Sequence, residues 1–344
     1  MLTTVVAGRT FDYSHAVGGL YMPMPVAVAC GSGDKVYVVS RQYEQILDVP
    51  WNQTATFAQV NVFNITTTPG EEEHLVKISR YGDAEGQLIW PAGIALDSDD
   101  NVFVTDEWMN RVSVFTSAGE FVKCWGTPGA GHGEFNRPSG IAMDSDGTLL
   151  VSDSLNHRVQ RLTVDGEFIS AFGGYGSGEG KLDSPWGVTT DKDGFVYVAD
   201  HKNHRAQKFT TDGEFVMSFG SFGDGKGQLT RPSDVVVDND GDVYVCDWAN
   251  DRVEVFTPQG RFLTSLRGDA QDLAKWHREQ VEANADVEKA RRRVYTLEPE
   301  WRFAMPTGLA FDESKSRIII TDTQRGRVQI YNKLHDYMEP QFNL

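Results

Sequence analysis

Residues 138–173 read PSGIAMDSDGTLLVSDSLNHRVQRLTVDGEFISAFG, and residues 185–220 read PWGVTTDKDGFVYVADHKNHRAQKFTTDGEFVMSFG. The two stretches carry proline, aspartate, arginine and glycine at the same places, 47 residues apart. The same step joins Pro91, Pro138, Pro185 and Pro232. Self-similarity at a fixed period of this length predicts a repeat architecture.

Each unit is a series of short apolar runs separated by turn residues. In the first stretch the runs are residues 140–143, 148–152, 159–163 and 167–172, and Asp165-Gly166 separates the last two. Such runs, bounded by Asp-Gly turns, indicate antiparallel strands joined as hairpins. Four strands in a unit of this size are typical of one blade of a β-propeller.

Two longer units flank the four regular ones and bring the predicted number of blades to six. One begins at Pro25 and the other at Pro306, and both exceed the 47-residue period. The excess predicts insertions at residues 42–59 and 269–301, and the charged and apolar spacing of the second indicates helices. The prediction is an all-β, six-bladed propeller formed as a single domain by residues 1–344, with a helical insertion between blades five and six.

The ends of the chain are predicted to close the ring. The last unit has three apolar runs, whereas residues 3–7, followed by a glycine, resemble the outer strand of a regular unit. We therefore expect residues 3–7 to pair with residues 327–331, which would protect both sheet edges.

Composition limits the partners. The net charge is −17, a sign that repels nucleic acids and anionic membranes, so neither is predicted as a partner. Three scattered cysteines do not form a disulfide framework or a zinc cluster. The N-terminal residues lack the features of a signal peptide, and a cytoplasmic location is therefore expected. A small-molecule substrate is the predicted partner, and a protein partner is left open.

The Pro-x-Gly…Asp…Asp-x-x-Asn-x-Arg pattern resembles NHL repeats over nearly the whole chain. Residues present in almost every unit, such as Asp200 and Arg205, are interpreted as structural ties between strands, since one active site cannot occur in every blade. Function is instead expected where the repeat is broken, on the face where the inner strands begin. Both insertions map to that face. Three roles are left open: a lid over the channel, a dimer contact, or a solvent-exposed segment without a specific function.

The candidate catalytic residues occupy variable positions beside the predicted channel. They are Arg41, Glu107, His201 and Asp234. Arg41 is predicted to lack a local acidic partner, because Ser40 stands where other units have aspartate. An arginine binds anionic groups, and the carboxylates and the histidine transfer protons. The candidate ligand-binding residues are Tyr43, Trp108, Trp186, Trp248 and Gln324.

Among NHL proteins, the N-terminal region resembles peptidyl-α-hydroxyglycine α-amidating lyases. Residues 36–41, Val-Tyr-Val-Val-Ser-Arg, carry this resemblance, which implies a catalytic role for Arg41. The zinc histidines of that family are replaced here by Ala92, Trp186 and Thr307, and none of these is a zinc ligand. No cofactor is predicted, and a metal ion is left open. The predicted function is a lyase or hydrolase acting on a small polar or anionic molecule; the alternative is a non-catalytic scaffold.

Overall fold

The computed structural model of the protein describes residues 3–43 and 56–334. Its main feature is a ring of six antiparallel sheets, as predicted. The inner strands of the sheets contact one another in cyclic order, and the inner strand of the sixth sheet returns to that of the first. Apolar residues fill the space between neighbouring sheets; Val39 and Val60 of blade one, for example, pack with Ile94 and Val104 of blade two.

Blades two to five have four strands each, which run from the channel to the outer edge. In blade two these are Pro91–Leu96, Val102–Asp106, Arg111–Phe115 and Phe121–Trp125; in blade three Pro138–Met143, Leu149–Asp153, Arg158–Leu162 and Phe168–Gly173; in blade four Pro185–Thr190, Val196–Asp200, Arg205–Phe209 and Phe215–Phe219; in blade five Pro232–Val237, Val243–Asp247, Arg252–Phe256 and Phe262–Leu266. A short parallel pair, Thr127–Pro128 with Glu134–Phe135, lies between blades two and three.

Blade one has longer central strands than the repeat predicts. Its strands are Pro25–Cys30, Lys35–Tyr43, Thr56–Asn64 and Glu73–Ile78. The second and third strands pair as far as Tyr43 and Thr56. The ends of the predicted insertion at residues 42–59 are therefore regular strand, and its remainder, residues 44–55, lies outside the described residues.

Blade six closes the ring in a different way from the prediction. Its first three strands, counted outward from the channel, are Pro306–Asp312, Arg317–Asp322 and Arg327–Leu334. The strand that pairs with Arg327–Leu334 is Arg9–Gly18, not residues 3–7. Thr3–Val6 folds back on Arg9–Gly18 as a fifth, outermost strand. A polar Ser14-His15 irregularity interrupts the apolar pattern of the longer strand, which explains why the sequence pattern favoured residues 3–7.

The insertion between blades five and six is helical, as predicted, but it does not cover the channel. It contains α1 (Lys275–Glu282), α2 (Ala285–Arg293) and α3 (Glu298–Trp301). Trp276 of α1 is buried in a cluster formed by blade six and blade one. The insertion thus lies at the outer side of the junction between the last and first blades. None of the described helices is long and apolar enough to cross a membrane.

The repeated aspartate at the end of each second strand has the predicted structural role. In blade four, Asp200 is fully buried and accepts hydrogen bonds from Asp183 N at 2.7 Å, Arg205 Nε at 2.9 Å and Gln207 Nε2 at 3.0 Å. These bonds fix the connection into the blade and join its second and third strands. A buried carboxylate with this many donors stabilises the blade, and the same arrangement recurs at Asp153.

Candidate active site at the channel entrance

A cavity of about 470 Å³ follows the axis of the ring and is lined by the six inner strands. We call the face on which the inner strands begin the upper face. Among the side chains that line the cavity are Arg41, Glu107, Trp186 and Asp234, four of the predicted site residues. The structure therefore brings a cation, two carboxyl groups and an indole to one central cavity.

The inner strands approach each other closely at the repeated glycines near this entrance. A Cβ atom on Gly140 would lie 2.3 Å from the carbonyl oxygen of Trp186, and one on Gly187 would lie 2.1 Å from Asp234 Oδ1. No side chain fits at such distances. Glycine at these positions therefore allows the narrow ring that brings the neighbouring side chains together.

The residue after the repeated aspartate, whose place is taken by Ser40 in blade one, has a recurring role at the upper face. In four blades its side chain donates a hydrogen bond to the carbonyl oxygen of the proline that begins the next blade. These bonds are Arg41 Nη1 to Pro91 at 3.1 Å, Ser154 Oγ to Pro185 at 2.5 Å, His201 Nδ1 to Pro232 at 3.1 Å and Thr323 Oγ1 to Pro25 at 2.7 Å. The position thus joins neighbouring blades, a role that the sequence analysis did not assign to it.

Glu107 occupies the same position in blade two but is an acid. An ionised carboxylate only accepts hydrogen bonds, so it cannot donate to a proline carbonyl. Glu107 Oε1 lies 3.7 Å from Arg41 Nη1 instead. Burial raises the pKa of Glu107 above its ordinary value of 4.5, although Arg41 and Arg137 lower it. Glu107 therefore places a carboxyl group at the cavity wall, in a position where four other blades have a hydrogen-bond donor.

Arg41 is not the unpaired cation that the sequence predicted. Besides Glu107 and Pro91, it lies over the ring of Trp90, with 4.3 Å from Cζ to the ring centroid. Trp90 was not among the predicted site residues, although it stands before the blade's proline where the next three blades have Arg137, Ser184 and Arg231. These three contacts hold the guanidinium group of Arg41 in one orientation at the cavity wall.

His201 is buried and serves as a donor within the wall. A carbonyl oxygen only accepts, so the bond to Pro232 assigns the proton to Nδ1. Burial lowers the pKa of His201 to about 4, and the ring is therefore neutral at pH 7. It stacks on Trp186 at 3.8 Å, and Trp248 lies 6.1 Å from both rings. These three predicted residues form one aromatic cluster, of which Trp186 lines the cavity.

Asp234 links the inner strands of blades five and six. Its Oδ2 accepts from Leu309 N at 2.8 Å, and its Oδ1 accepts from Val235 N at 2.9 Å. Burial raises the pKa of Asp234 to about 7, and the two backbone donors oppose this shift. Asp234 therefore contributes a second carboxyl group with a raised pKa on the side of the channel that faces blade two.

Three predicted ligand-binding residues lie elsewhere or are not described. Trp108 is 68 % exposed and does not line the channel cavity, because its short loop carries it outward. Gln324 lines a different cavity, between blades five and six. The backbone of Tyr43 ends the second strand of blade one, and its side chain lies outside the described residues.

Within residues 3–43 and 56–334, the three positions that correspond to zinc histidines do not form a set of metal ligands. Ala92, Trp186 and Thr307 all line the cavity, but the first two offer no ligand atom, and the hydroxyl of Thr307 lies 2.7 Å from Thr323 Oγ1. Three carboxylates, Asp238, Asp240 and Asp242, do converge in blade five. The ammonium group of Lys333 lies within 2.9 Å of all three, so a cation of the protein already occupies their centre.

The geometry defines the class of protein: a six-bladed β-propeller with a polar cavity on its axis. Four segments, residues 88–115, 135–162, 182–209 and 229–256, match the NHL repeat family. The chain is thus a β-propeller with NHL repeats in four of its six blades. A comparison with curated proteins finds no match to the sequence.

Solved structures of similar fold include two lyases. A streptogramin B lyase is 12 % identical, with a TM-score of 0.55 over 94 % of this chain and 98 % of that one. A catalytically inactive virginiamycin B lyase from Staphylococcus aureus, solved with quinupristin, is 16 % identical, with a TM-score of 0.54 over 94 % and 100 %. A protein of unknown function from Bacteroides thetaiotaomicron is 15 % identical, with a TM-score of 0.57 over 94 % and 73 %. At these identities the likeness shows the fold.

Proposed function

We propose that the protein is a propeller lyase that cleaves a small polar or anionic molecule at the upper entrance of the central channel. The observation that carries the proposal is the Arg41–Glu107 pair. Its two side chains line the axial cavity, and the acid has a raised pKa in a position that is used for hydrogen-bond donors in four other blades. Acids with perturbed pKa values that line a concave site are candidates for catalysis.

A lyase needs a group that removes a proton and a group that assists the departure of the leaving group. Glu107 is the acid-base group in this proposal, since burial raises the pKa of its carboxyl and a raised pKa favours proton transfer by a carboxyl group. Arg41 binds the anionic part of the substrate and stabilises negative charge that develops during cleavage. Asp234 lies across the ring and serves as the second acid-base group, and Trp186 provides an apolar wall.

The reaction class also draws on the structural neighbours. Two of the similar folds are lyases, one of them solved with quinupristin. Their likeness to this chain is in the fold, and the class of chemistry is carried over as part of the proposal. Because Ala92 and Trp186 offer no ligand atom, the proposed step uses the chain's own acid-base groups.

The first experiment asks whether a ligand binds at Arg41. A panel of small carboxylates, phosphate esters and quinupristin is tested for a rise in melting temperature. We expect at least one compound to stabilise the wild type and the control Glu179→Gln, whose carboxylate is exposed on a loop. The same compound should not stabilise Arg41→Gln. A rise that is equal in Arg41→Gln would place binding elsewhere and reject the proposed site.

The second experiment identifies the reaction. Compounds that bind are incubated with the protein and followed by mass spectrometry. A lyase gives products whose masses sum to that of the substrate, whereas a hydrolase adds the mass of water. Turnover should fall by about 100-fold or more in Glu107→Gln, as for the loss of a general acid-base group. Uptake of water, or full activity of Glu107→Gln, would contradict the lyase proposal.

A scaffold function has its own supporting observation. Trp108, Tyr175 and Phe222 are 68 %, 72 % and 67 % exposed, and all lie in loops of the upper face. Exposed aromatic residues of this kind are typical of surfaces that bind other proteins. If none of the panel binds and a protein partner is lost from Tyr175→Ala but retained by Arg41→Gln, the scaffold function is the correct one.

A further inference from the structure

A second cavity, of about 590 Å³, lies between blades five and six and shares no lining residue with the axial cavity. Three arginines line it, namely Arg267, Arg302 and Arg325, together with the carboxylates of Asp251 and Glu298. The chain as a whole carries a net charge of −17. A cavity with more cations than anions is therefore a local exception on an acidic protein.

Two of these arginines break the repeat. Arg267 stands where the three preceding blades have Gly126, Gly173 and Gly220. Arg325 stands where blades three, four and five have Asn156, Asn203 and Asn250. In blade four the asparagine donates to Asp200 and to the carbonyl oxygen of Gly176, and so holds a loop in place. Asparagine therefore holds this loop in blades three to five, and blade six has Arg325 at the same position.

The carboxylates of the cavity are already engaged by other partners. Asp251 Oδ1 accepts from Met305 N at 2.7 Å, and Glu298 Oε1 accepts from Arg302 Nη2 at 2.8 Å. Arg302 also contacts Asp269 at 3.3 Å. Glu298 and Asp269 therefore balance the charge of Arg302.

Arg267 and Arg325 form no ion pair within residues 3–43 and 56–334. Arg325 Nη2 donates to the carbonyl oxygen of Pro299 at 2.7 Å, which fixes the direction of the guanidinium group. Its Nε is buried and has no hydrogen-bond partner in the described part of the chain. A buried donor on a charged group without a partner carries a cost in the folded state.

We propose that this cavity is an oxyanion-binding site in which Arg267 and Arg325 hold a phosphate or carboxylate group. Guanidinium groups present paired donors that match the oxygens of both groups. The side chain of Gln324, which the sequence analysis assigned to ligand binding, lines the same cavity and adds polar atoms to it. The site is separate from the channel entrance, so the proposal does not depend on the lyase function.

Calorimetric titration tests the proposal with inorganic phosphate and, in a second arm, acetate, each against sodium chloride at the same ionic strength. Arg325→Asn installs the residue that other blades carry, so the variant should fold. Arg267→Gln is the second variant, and Arg261→Gln, an exposed arginine outside the cavity, is the control. Loss of one charged donor should weaken binding about tenfold or more.

The expected result is binding of phosphate, acetate or both by the wild type and by Arg261→Gln, with weaker binding by Arg325→Asn and Arg267→Gln. The arm that binds more tightly identifies the class of oxyanion. Equal affinity in all four proteins would overturn the proposal, because binding would then not use the cavity. Absence of binding in both arms at millimolar concentrations would overturn it as well.

Discussion

Trp276 offers a direct test of the role of the helical insertion. Its ring lies 5.6 Å from that of Phe63 in blade one and 5.3 Å from that of Tyr21, and it is 8 % exposed. A Cβ atom on Gly19 would lie 2.9 Å from Trp276 Cβ, so α1 sits tightly against the chain that leaves the closing strand. Lys275 Nζ donates to the carbonyl oxygen of Glu72 at 3.0 Å on the same side. The insertion thus joins the last blade to the first.

Truncation of this residue should therefore weaken the closed ring. Replacing a buried tryptophan by alanine costs about 3–5 kcal/mol, from lost burial and the cavity that remains. For a chain of 344 residues, the unfolding entropy near the midpoint is about 0.7 kcal/mol/K. Trp276→Ala should consequently lower the melting temperature by about 4–7 °C.

The control is the same substitution at Trp108, which is 68 % exposed and should change stability by at most about 0.5 kcal/mol. Differential scanning calorimetry measures both variants under the same conditions. If Trp276→Ala and Trp108→Ala melt at the same temperature, the insertion does not hold the ring closed. A lower midpoint in Trp276→Ala with unchanged ligand binding would separate closure from the site.

Two further predictions concern buried charges. Lys333→Met should cost about 3–5 kcal/mol in urea denaturation, because it leaves the buried carboxylate of Asp238 without its ion-pair partner. Lys35→Met removes a 38 % exposed partner of Asp100 and should cost at most about 1 kcal/mol, and equal losses in the two variants would contradict this. Burial raises the folded pKa of Asp234 to about 7 from 3.8, so the folded state retains a proton that the unfolded chain loses, and stability should fall as the pH rises from about 4 to about 7. Asp234→Asn should remove this contribution, and superimposable stability–pH profiles of the two proteins would refute it.

The sequence predicted what the repeat encodes. Prolines at a 47-residue step, Asp-Gly turns and short apolar runs led to six blades, because each blade is determined by local contacts that recur. The structural interpretation of Asp200 also follows from recurrence, since a residue needed in every blade is needed by the fold. The same reasoning located the helical insertion between blades five and six.

The sequence could not predict contacts between distant segments. The choice between residues 3–7 and Arg9–Gly18 as the closing strand depends on pairing with a strand more than 300 residues away. The position of α1 depends on a pocket for Trp276 that only the closed ring forms. The donor role of Arg41 and His201 was hidden because their acceptors are backbone carbonyls of the next blade, which sequence patterns do not reveal.

The state of Glu107 tests the central claim most directly. The carboxyl carbon of Glu107, assigned by comparison with Glu107→Gln, is followed by ¹³C NMR through a pH titration. We predict a pKa above the ordinary value of 4.5, because burial outweighs the nearby cations, and a further rise in Arg41→Gln, because the closest cation is then removed. A Glu107 that titrates at or below 4.5 and does not respond to Arg41→Gln would contradict an acid-base site at the channel entrance.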